Sequence, residues 1–370
     1  TERQSDAVEM SLSHGLSCVI GGAGTGKTTA LRTTIECYRA LDYNIYAMAL
    51  SGRAATRLRE SIGIKTMTIA RFLRNVEVDD KPTLLVIDEA SMLDLPTLYQ
   101  IIIKTTASIR LLLVGDPDQL PPIGAGLPLR DIISSRVCPV VELDIVQRQD
   151  EKTGIPAYSL TIRNGELPPG MTVGRIHFHE VSSREEIIEA CTELLAHSPR
   201  DSKVVAPTKE LTKLINESCQ AAVNPDGTQL KPEIWGDFWG TEFRVGDPIM
   251  CLKNDYENDL QNGSLGRLLS ADQEAEDHLG IIKMDDKTEA LTLTKALLDN
   301  IRLGYAMTLH KTQGSQVPKV VIALDNSPLI DRSWIYTAIT RAEQEVHIVG
   351  SRSVMKAAVV RESTHHSRMS

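Results

Sequence analysis

No two of the six cysteines, at 18, 37, 138, 191, 219 and 251, stand in a CxxC pair. The spacing therefore indicates neither a zinc site nor a disulfide framework, and a reducing cytoplasm is the simplest setting. No apolar stretch approaches the roughly 20 residues of a membrane helix. A charged-then-apolar leader is missing as well, and the chain starts at Thr1 without a Met, as a trimmed product of something longer would. A basic balance is also lacking. With 40 Lys and Arg against 49 Asp and Glu the formal net charge is −9, so a polyanion would have to meet a local basic strip on an acidic body. The length, 370 residues, suits about two domains with real cores.

Against these absences stands Gly21 to Thr28, GGAGTGKT, which fits the phosphate-cradling template G-x-x-x-x-G-K-[ST]. Leu16 to Ile20 before it is a short apolar run, and Lys27 to Leu41 after it places Ala30, Leu31, Ile35, Tyr38 and Leu41 near helical spacing. Strand, loop and helix in that order argue against a glycine-rich turn that merely precedes a Lys. Gly21, Gly22, Gly24 and Gly26 let backbone N–H groups approach phosphate oxygens. Lys27 can reach the β and γ phosphates and the Thr28 hydroxyl can ligate Mg²⁺, with Ala23, Thr25 and Thr29 completing the cradle and its helix, whose positive end faces the anion.

Thr83 to Ile87 is an apolar strand that stops in Asp88 and Glu89. A P-loop ATPase needs one carboxylate to hold Mg²⁺ through its water, the role given to Asp88, and a second to take a proton from the attacking water, the role given to Glu89. Isolated, DEAS would more often be an acidic helix start. Ile109 to Val114 is a further buried strand, and in the following GDPDQLPPIGAG the side chain of Gln119 can meet the γ-phosphate or its water; a proline-rich turn is the alternative. Gln4, in the helical stretch Thr1 to Ser13, is by default a surface residue, with a bidentate adenine contact as the sharper reading. Asn44 to Leu50 leads into SGRAATRL, where Ser51, Gly52 and Arg53 either hold phosphates of a polymer at a strand's carboxyl end or open a solvated helix. Arg148 and Arg341 each read as surface ion-pair partners when taken alone. Drawn to a γ-phosphate, such arginines are worth on the order of 10³–10⁵ in rate.

Asp150 to Gly174, rich in Gly and Pro, reads as a passage between domains. A second α/β pattern follows: strand-like Arg175 to Val181, a helix from Ser183 to His197, strand Lys203 to Ala206, then a helix behind Thr208 and Lys209, which either grip a phosphate or cap that helix. From Phe243 to about Asp299 short strands alternate with Gly, Asn and Asp turns, the pattern of a small inserted β-barrel. Val320 to Leu324 and Val346 to Val349 return to buried strands, while Trp235 and Trp239 read as packing residues before base-stacking ones.

As a set, these motifs resemble the RecD and TraA group of superfamily 1B DNA helicases over nearly the whole chain. RQSDAV is similar to the glutamine motif, GGAGTGKT to motif I, ALSGRAATRL to Ia, VIDEAS to II, GDPDQLPPIGAG to III, LDIVQRQ to IV, YAMTLHKTQGSQ to V and YTAITRA to VI. The resemblance implies an α/β fold of two RecA-like P-loop NTPase domains, the first at 1–149 and the second at 150–242 and 303–370, with a lead-in and small SH3-like β-barrel inserted at 243–302. It implies a cytoplasmic ATP hydrolase that steps 5′ to 3′ along single-stranded DNA as a monomeric motor without a membrane and unwinds tailed duplexes, with DNA recombination, DNA repair, conjugation and defence of mobile DNA all open as its setting. ATP and Mg²⁺ would lie between the domains. Gln4 would read adenine, Arg148 and Arg341 would touch the γ-phosphate, and Thr66, Thr208, His310 and Thr312 would line the DNA path. Only the short segment 74–82 occupies the place of the family's duplex-splitting pin. The alternative is an ATPase or DNA-binding accessory subunit with protein partners in a larger recombination or conjugation complex.

Overall fold

The computed structural model describes residues 1–105, 109–144, 153–230, 242–255, 258, 260–272, 274–275, 278–312 and 314–361. Contacts divide the chain into two compact units. One gathers Thr1–Glu166 and Asp331–Thr340, the other Leu167–Ile330 and Arg341–Val359.

In the first unit, β1 (Leu16–Gly21), β2 (Asn44–Ala49), β3 (Thr66–Thr68), β4 (Thr83–Ile87), β5 (Ile109–Gly115) and β6 (Val140–Leu143) form a parallel sheet in the order β3-β2-β4-β5-β1-β6. The five residues of β4 are all buried, as a strand covered on both faces requires. Alternation then sorts them. Leu84 and Val86 join Val19, Leu112 and the helices Glu2–Ser13, Lys27–Ala40 and Gly52–Ile62 on one face, while Leu85 and Ile87 join Ile20, Leu113 and the helices Ile69–Asn75 and Leu95–Lys104 on the other. Because β5 lies between β1 and β4, the loops after these three strands are consecutive along the carboxyl edge. At about 4.8 Å per strand the outer two are ~10 Å apart, room for a phosphate chain.

The stretch 150–174 is not the bare passage its Gly and Pro content suggests. Gly154 takes a left-handed φ of 76° and Pro156 falls in the first turn of a helix, Ile155–Arg163, whose Ile155, Tyr158 and Ile162 are buried. Both residues start a helix here rather than interrupt one, since a first-turn proline gives up no helical hydrogen bond.

In the second unit β7 (Ile176–Glu180) and β8 (Ser202–Ala206) come first. β9 (Pro248–Cys251), β10 (Leu265–Ala271), β11 (Gly280–Met284), β12 (Leu291–Leu293) and β13 (Ile301–Leu303) follow, and then β14 (Ala306–Thr308), β15 (Val317–Leu324) and β16 (Ala342–Gly350). The first two and last three make a parallel sheet, β14-β8-β15-β16-β7, and the middle five an antiparallel sheet, β12-β11-β10-β9-β13. Wholly buried Asp247 ties the antiparallel sheet to the helix Lys209–Val223. Its carboxylate accepts from Gln220 Nε2 (2.5 Å), Asn224 Nδ2 (2.7 Å), Arg244 N (2.7 Å) and the Tyr305 hydroxyl (2.8 Å), four donors that offset the burial of a charge. No helix among the described residues is long and apolar enough to cross a membrane.

Candidate nucleotide site and basic groove

The loop after β1 turns on Gly24 and Gly26, whose φ values of 79° and 87° only glycine adopts freely. Thr25, buried, donates its hydroxyl to Gly22 O at 2.9 Å and so closes the loop on itself. Lys27 donates its ammonium to Gly21 O (2.6 Å) and Gly22 O (2.8 Å). Ala23 is half-buried, and Thr28 and Thr29 stand exposed at the helix start. Gln4 lies against this loop and donates Nε2 to Gly26 O at 3.2 Å. Beside it a groove of about 600 Å³ runs between the first helix and the P-loop helix, lined by Gln4, Ser5, Val8, Thr29 and Thr33.

Asp88 follows β4 half-buried. Burial, and then the neighbouring Glu89, push its carboxyl up to about 6, against the opposing pull of Lys27 and Arg57. Glu89 has φ 53° and ψ 40°, a left-handed conformation that an unbranched acid rarely holds and that costs of order 1–3 kcal/mol. The strain turns the chain straight from the strand into the 3₁₀ turn Ala90–Met92.

After β5 the structure reveals a polar cluster that the motif reading did not foresee. Buried Asp116 accepts the Tyr336 hydroxyl at 2.7 Å and Gln119 Nε2 at 3.3 Å, both on Oδ2, while its Oδ1 takes the Asp118 N–H at 3.1 Å. Burial raises the Asp116 carboxyl above its ordinary range, and Lys27 pulls it down. Gln119, expected at a γ-phosphate, is brought to Asp116 and is itself buried. Asp118 pairs in turn with Arg163 (2.5 Å), which also reaches Glu142 (3.0 Å). The signals were the GDPDQ and WIYTAIT strings, but nothing in either says that one meets the other.

Of the residues expected on a DNA path, Ser51 caps the helix Gly52–Ile62 by accepting from Ala54 N (3.2 Å), Gly52 is buried and Arg53 half-buried, and Thr66 donates its hydroxyl to Ala55 O (2.5 Å). Thr208 takes the capping role that its position left open, accepting from Leu211 N at 3.1 Å. His310 is exposed, whereas Thr312 is buried and donates to Leu309 O at 2.7 Å. Thr208 and His310 each lie two residues beyond the paired ends of β8 and β14. A groove of about 520 Å³ opens between the helix Lys209–Val223 and β9 and β13. Lys209, Lys253, Arg302 and Lys311 line it over Met250 and Leu303. Burial and the Lys209 charge lower the Lys311 pKa, and its ammonium donates to Leu252 O (3.4 Å) and to Asn262 Oδ1. Arg341, in the second unit, is buried and donates to Ser315 O at 3.5 Å. Arg148, Trp235 and Trp239 lie outside the described residues.

Comparison with known proteins joins these parts. A family model describing an AAA domain matches residues 1–181, and one describing a UvrD-like helicase C-terminal domain matches 303–349. The chain is 30% identical to the ATP-dependent RecD2 DNA helicase of Deinococcus radiodurans over 98% of its own length and 50% of that protein. It is 29% identical to the RecBCD enzyme subunit RecD of Mycolicibacterium smegmatis, over 98% and 73%. In sequence it is similar to the RecD-like helicases of superfamily 1. The RecD-like chain spans about half the length of the RecD2 relative. Its fold is similar to that of the Pif1 helicase from Candida albicans, with a TM-score of 0.62 at 18% identity over 99% of this chain and 97% of that one. Both parallel sheets are accordingly RecA-like α/β sheets.

Proposed function

We propose that this RecD-like chain is an ATP-driven motor that steps 5′ to 3′ along single-stranded DNA and can open duplexes carrying a 5′ tail. One observation carries the reading. A phosphate-cradling loop, a buried amide and a strained acidic pair are consecutive along the carboxyl edge of one parallel sheet. In this reading the residues that bind nucleotide are Gln4 at the adenine, Gly22, Ala23, Gly24, Thr25 and Gly26 through their backbone, and Lys27, Thr28 and Thr29 at the phosphates.

The donor set fits a divalent cation, since the Asp88 carboxyl, pushed up to about 6, is a charge short of compensation. Thr28 and Asp88 would hold Mg²⁺, which when bound neutralises charge on the phosphates. Lys27, now on two carbonyls of its own loop, exchanges them for phosphate oxygens. Glu89 accepts the proton of the attacking water and Gln119 orients that water. Arg148 and Arg341 are assigned to the γ-phosphate on their sequence positions. On the DNA side, Ser51, Gly52, Arg53, Thr66, Thr208, Lys209, His310 and Thr312 are kept as the path. The groove, whose five cations include Lys213 paired with Glu217, supports a polyanion there, on a protein whose net charge is −9. The antiparallel sheet β9–β13 is read as the small SH3-like barrel.

A second reading, an accessory ATPase that moves on DNA but separates strands poorly, is favoured by the segment 74–82. Arg74 and Asn75 end the helix Ile69–Asn75, and 76–82 is a short connection in which Asp79 accepts from Asn44 Nδ2 (3.0 Å) and Lys81 N (3.1 Å), at the amino-terminal edge of β2 and β4 rather than at the carboxyl edge. ATP turnover with and without single-stranded DNA, paired with unwinding of 5′-tailed and 3′-tailed duplexes, tests both. The motor predicts DNA-stimulated turnover and opening of the 5′-tailed substrate. Stimulation without opening selects the accessory, and unstimulated turnover overturns the DNA reading.

A further inference from the structure

The helix Arg332–Ile339 lies some 220 residues beyond β5 in the chain, yet it packs within the first unit. It meets the loop after β5 twice: the Tyr336 hydroxyl donates to Asp116 Oδ2, and the Thr337 hydroxyl accepts the Leu120 N–H at 2.9 Å. Both side chains are buried. Burial and the Asp116 charge hold the Tyr336 phenol protonated, so it is the donor of the pair. That hydroxyl also lies 3.1 Å from where a Cβ would stand on Gly22, so it reaches the phosphate-cradling loop as well as the loop after β5. Besides Tyr336, the Asp116 carboxylate is faced by Gln119, Asp118, Lys27 and Arg163.

We propose that Tyr336 is a positioning residue for ATP hydrolysis: its hydroxyl fixes the Asp116 carboxylate, Asp116 holds the Gln119 amide in place, and Thr337 anchors the same loop at Leu120. The inference rests on the proposed ATPase reading and adds a residue to it. Tyr336 needs no contact with nucleotide. With the hydroxyl gone, Asp116 keeps Gln119 but loses its second donor on Oδ2, and the amide is no longer held in one place. The helix ends at Ile339 with Thr340 as its cap, and Arg341, the residue assigned to the γ-phosphate, follows directly as the next residue of the chain.

The test is steady-state ATP turnover of the full chain, stimulated by single-stranded DNA, for wild type, Tyr336→Phe, Asp116→Asn and the double variant, with Thr337→Val alongside. A charge-assisted hydrogen bond is worth ~1.5–3 kcal/mol, or about ten- to hundredfold. Tyr336→Phe is therefore expected to lower kcat by that factor with KM for ATP unchanged, and to add nothing to the loss already made by Asp116→Asn. Thr337→Val, which acts through Leu120 instead, should lower kcat in the same direction and spare KM. The proposal is overturned if kcat survives Tyr336→Phe, if KM rises in step with the fall in kcat, or if the two losses multiply in the double variant. Should Tyr336→Phe fail to fold, the kcat and KM of Thr337→Val decide. A wild type without ATPase activity would instead remove the underlying reading, an outcome separate from each of these.

Discussion

Replacing Asp88 by Asn should make the protein more stable and less active, and the size of the gain follows from the carboxyl's surroundings. In the unfolded chain this group ionises near 3.8; in the fold, burial beside Glu89 raises it to about 6. An acid whose pKa rises on folding weakens the fold wherever it is ionised, and a rise of this size corresponds to ~3 kcal/mol. That cost is fully present above about pH 6, is roughly halved by pH 5, and has faded once the pH falls below about 3.8. Asp88→Asn removes the charge while keeping the shape. Thermal melts without nucleotide or divalent metal should then show the variant several degrees higher at pH 8, at ~2–4 °C per kcal/mol for a unit of this size. The gap should narrow at pH 5 and close near pH 4. Adding ATP with Mg²⁺ should narrow it at pH 8, because a cation bound to the wild type compensates the same carboxylate. An equal or lower melting temperature at pH 8, or a gain unchanged at pH 4, would refute the claim that an uncompensated charge sits at the end of β4.

Glu89→Gln should leave ATP bound and cut turnover by orders of magnitude; full turnover would strike Glu89 as the base. Glu89→Gly should also abolish turnover, yet relief of its left-handed φ of 53° should stabilise the fold by about 1 kcal/mol, read from denaturant midpoints. Asp247→Ala takes the shared acceptor from four donors in the second unit, of which Gln220 and Asn224 keep a backbone carbonyl, and should cost ~3 kcal/mol, so wild-type stability in urea would count against the hub. Binding of single-stranded DNA should weaken steeply between low and moderate salt, and Lys209→Ala should flatten that slope by about one contact; an unchanged slope would take Lys209 off the path.

Much of this was legible because it depends on local spacing. Thr83–Ile87 reads as a strand from five consecutive apolar or β-branched residues, and the structure gives the same limits. GGAGTGKT announces its turn through glycines that positive φ values require at 24 and 26. Short strands without a pattern of their own, Thr66–Thr68 and Val140–Leu143, were silent because neighbours in the sheet, not propensity, extend them. The helix Ile155–Arg163 was masked by Gly154 and Pro156, which look alike whether they begin a helix or replace one. The Tyr336–Asp116 bond spans 220 positions, and no periodicity carries information over that range.

The way the chain is shared between the two units also limits how it can be divided. It passes from one to the other after Glu166, Ile330, Thr340 and Val359, so no single cut yields two self-sufficient halves. A fragment ending at Glu166 would retain the P-loop and both carboxylates yet leave Leu120 N–H and Asp116 without the hydroxyls of Thr337 and Tyr336. Dissecting this protein calls for point substitutions or for co-expression of the severed pieces, and an inert amino-terminal fragment would be silent about the whole.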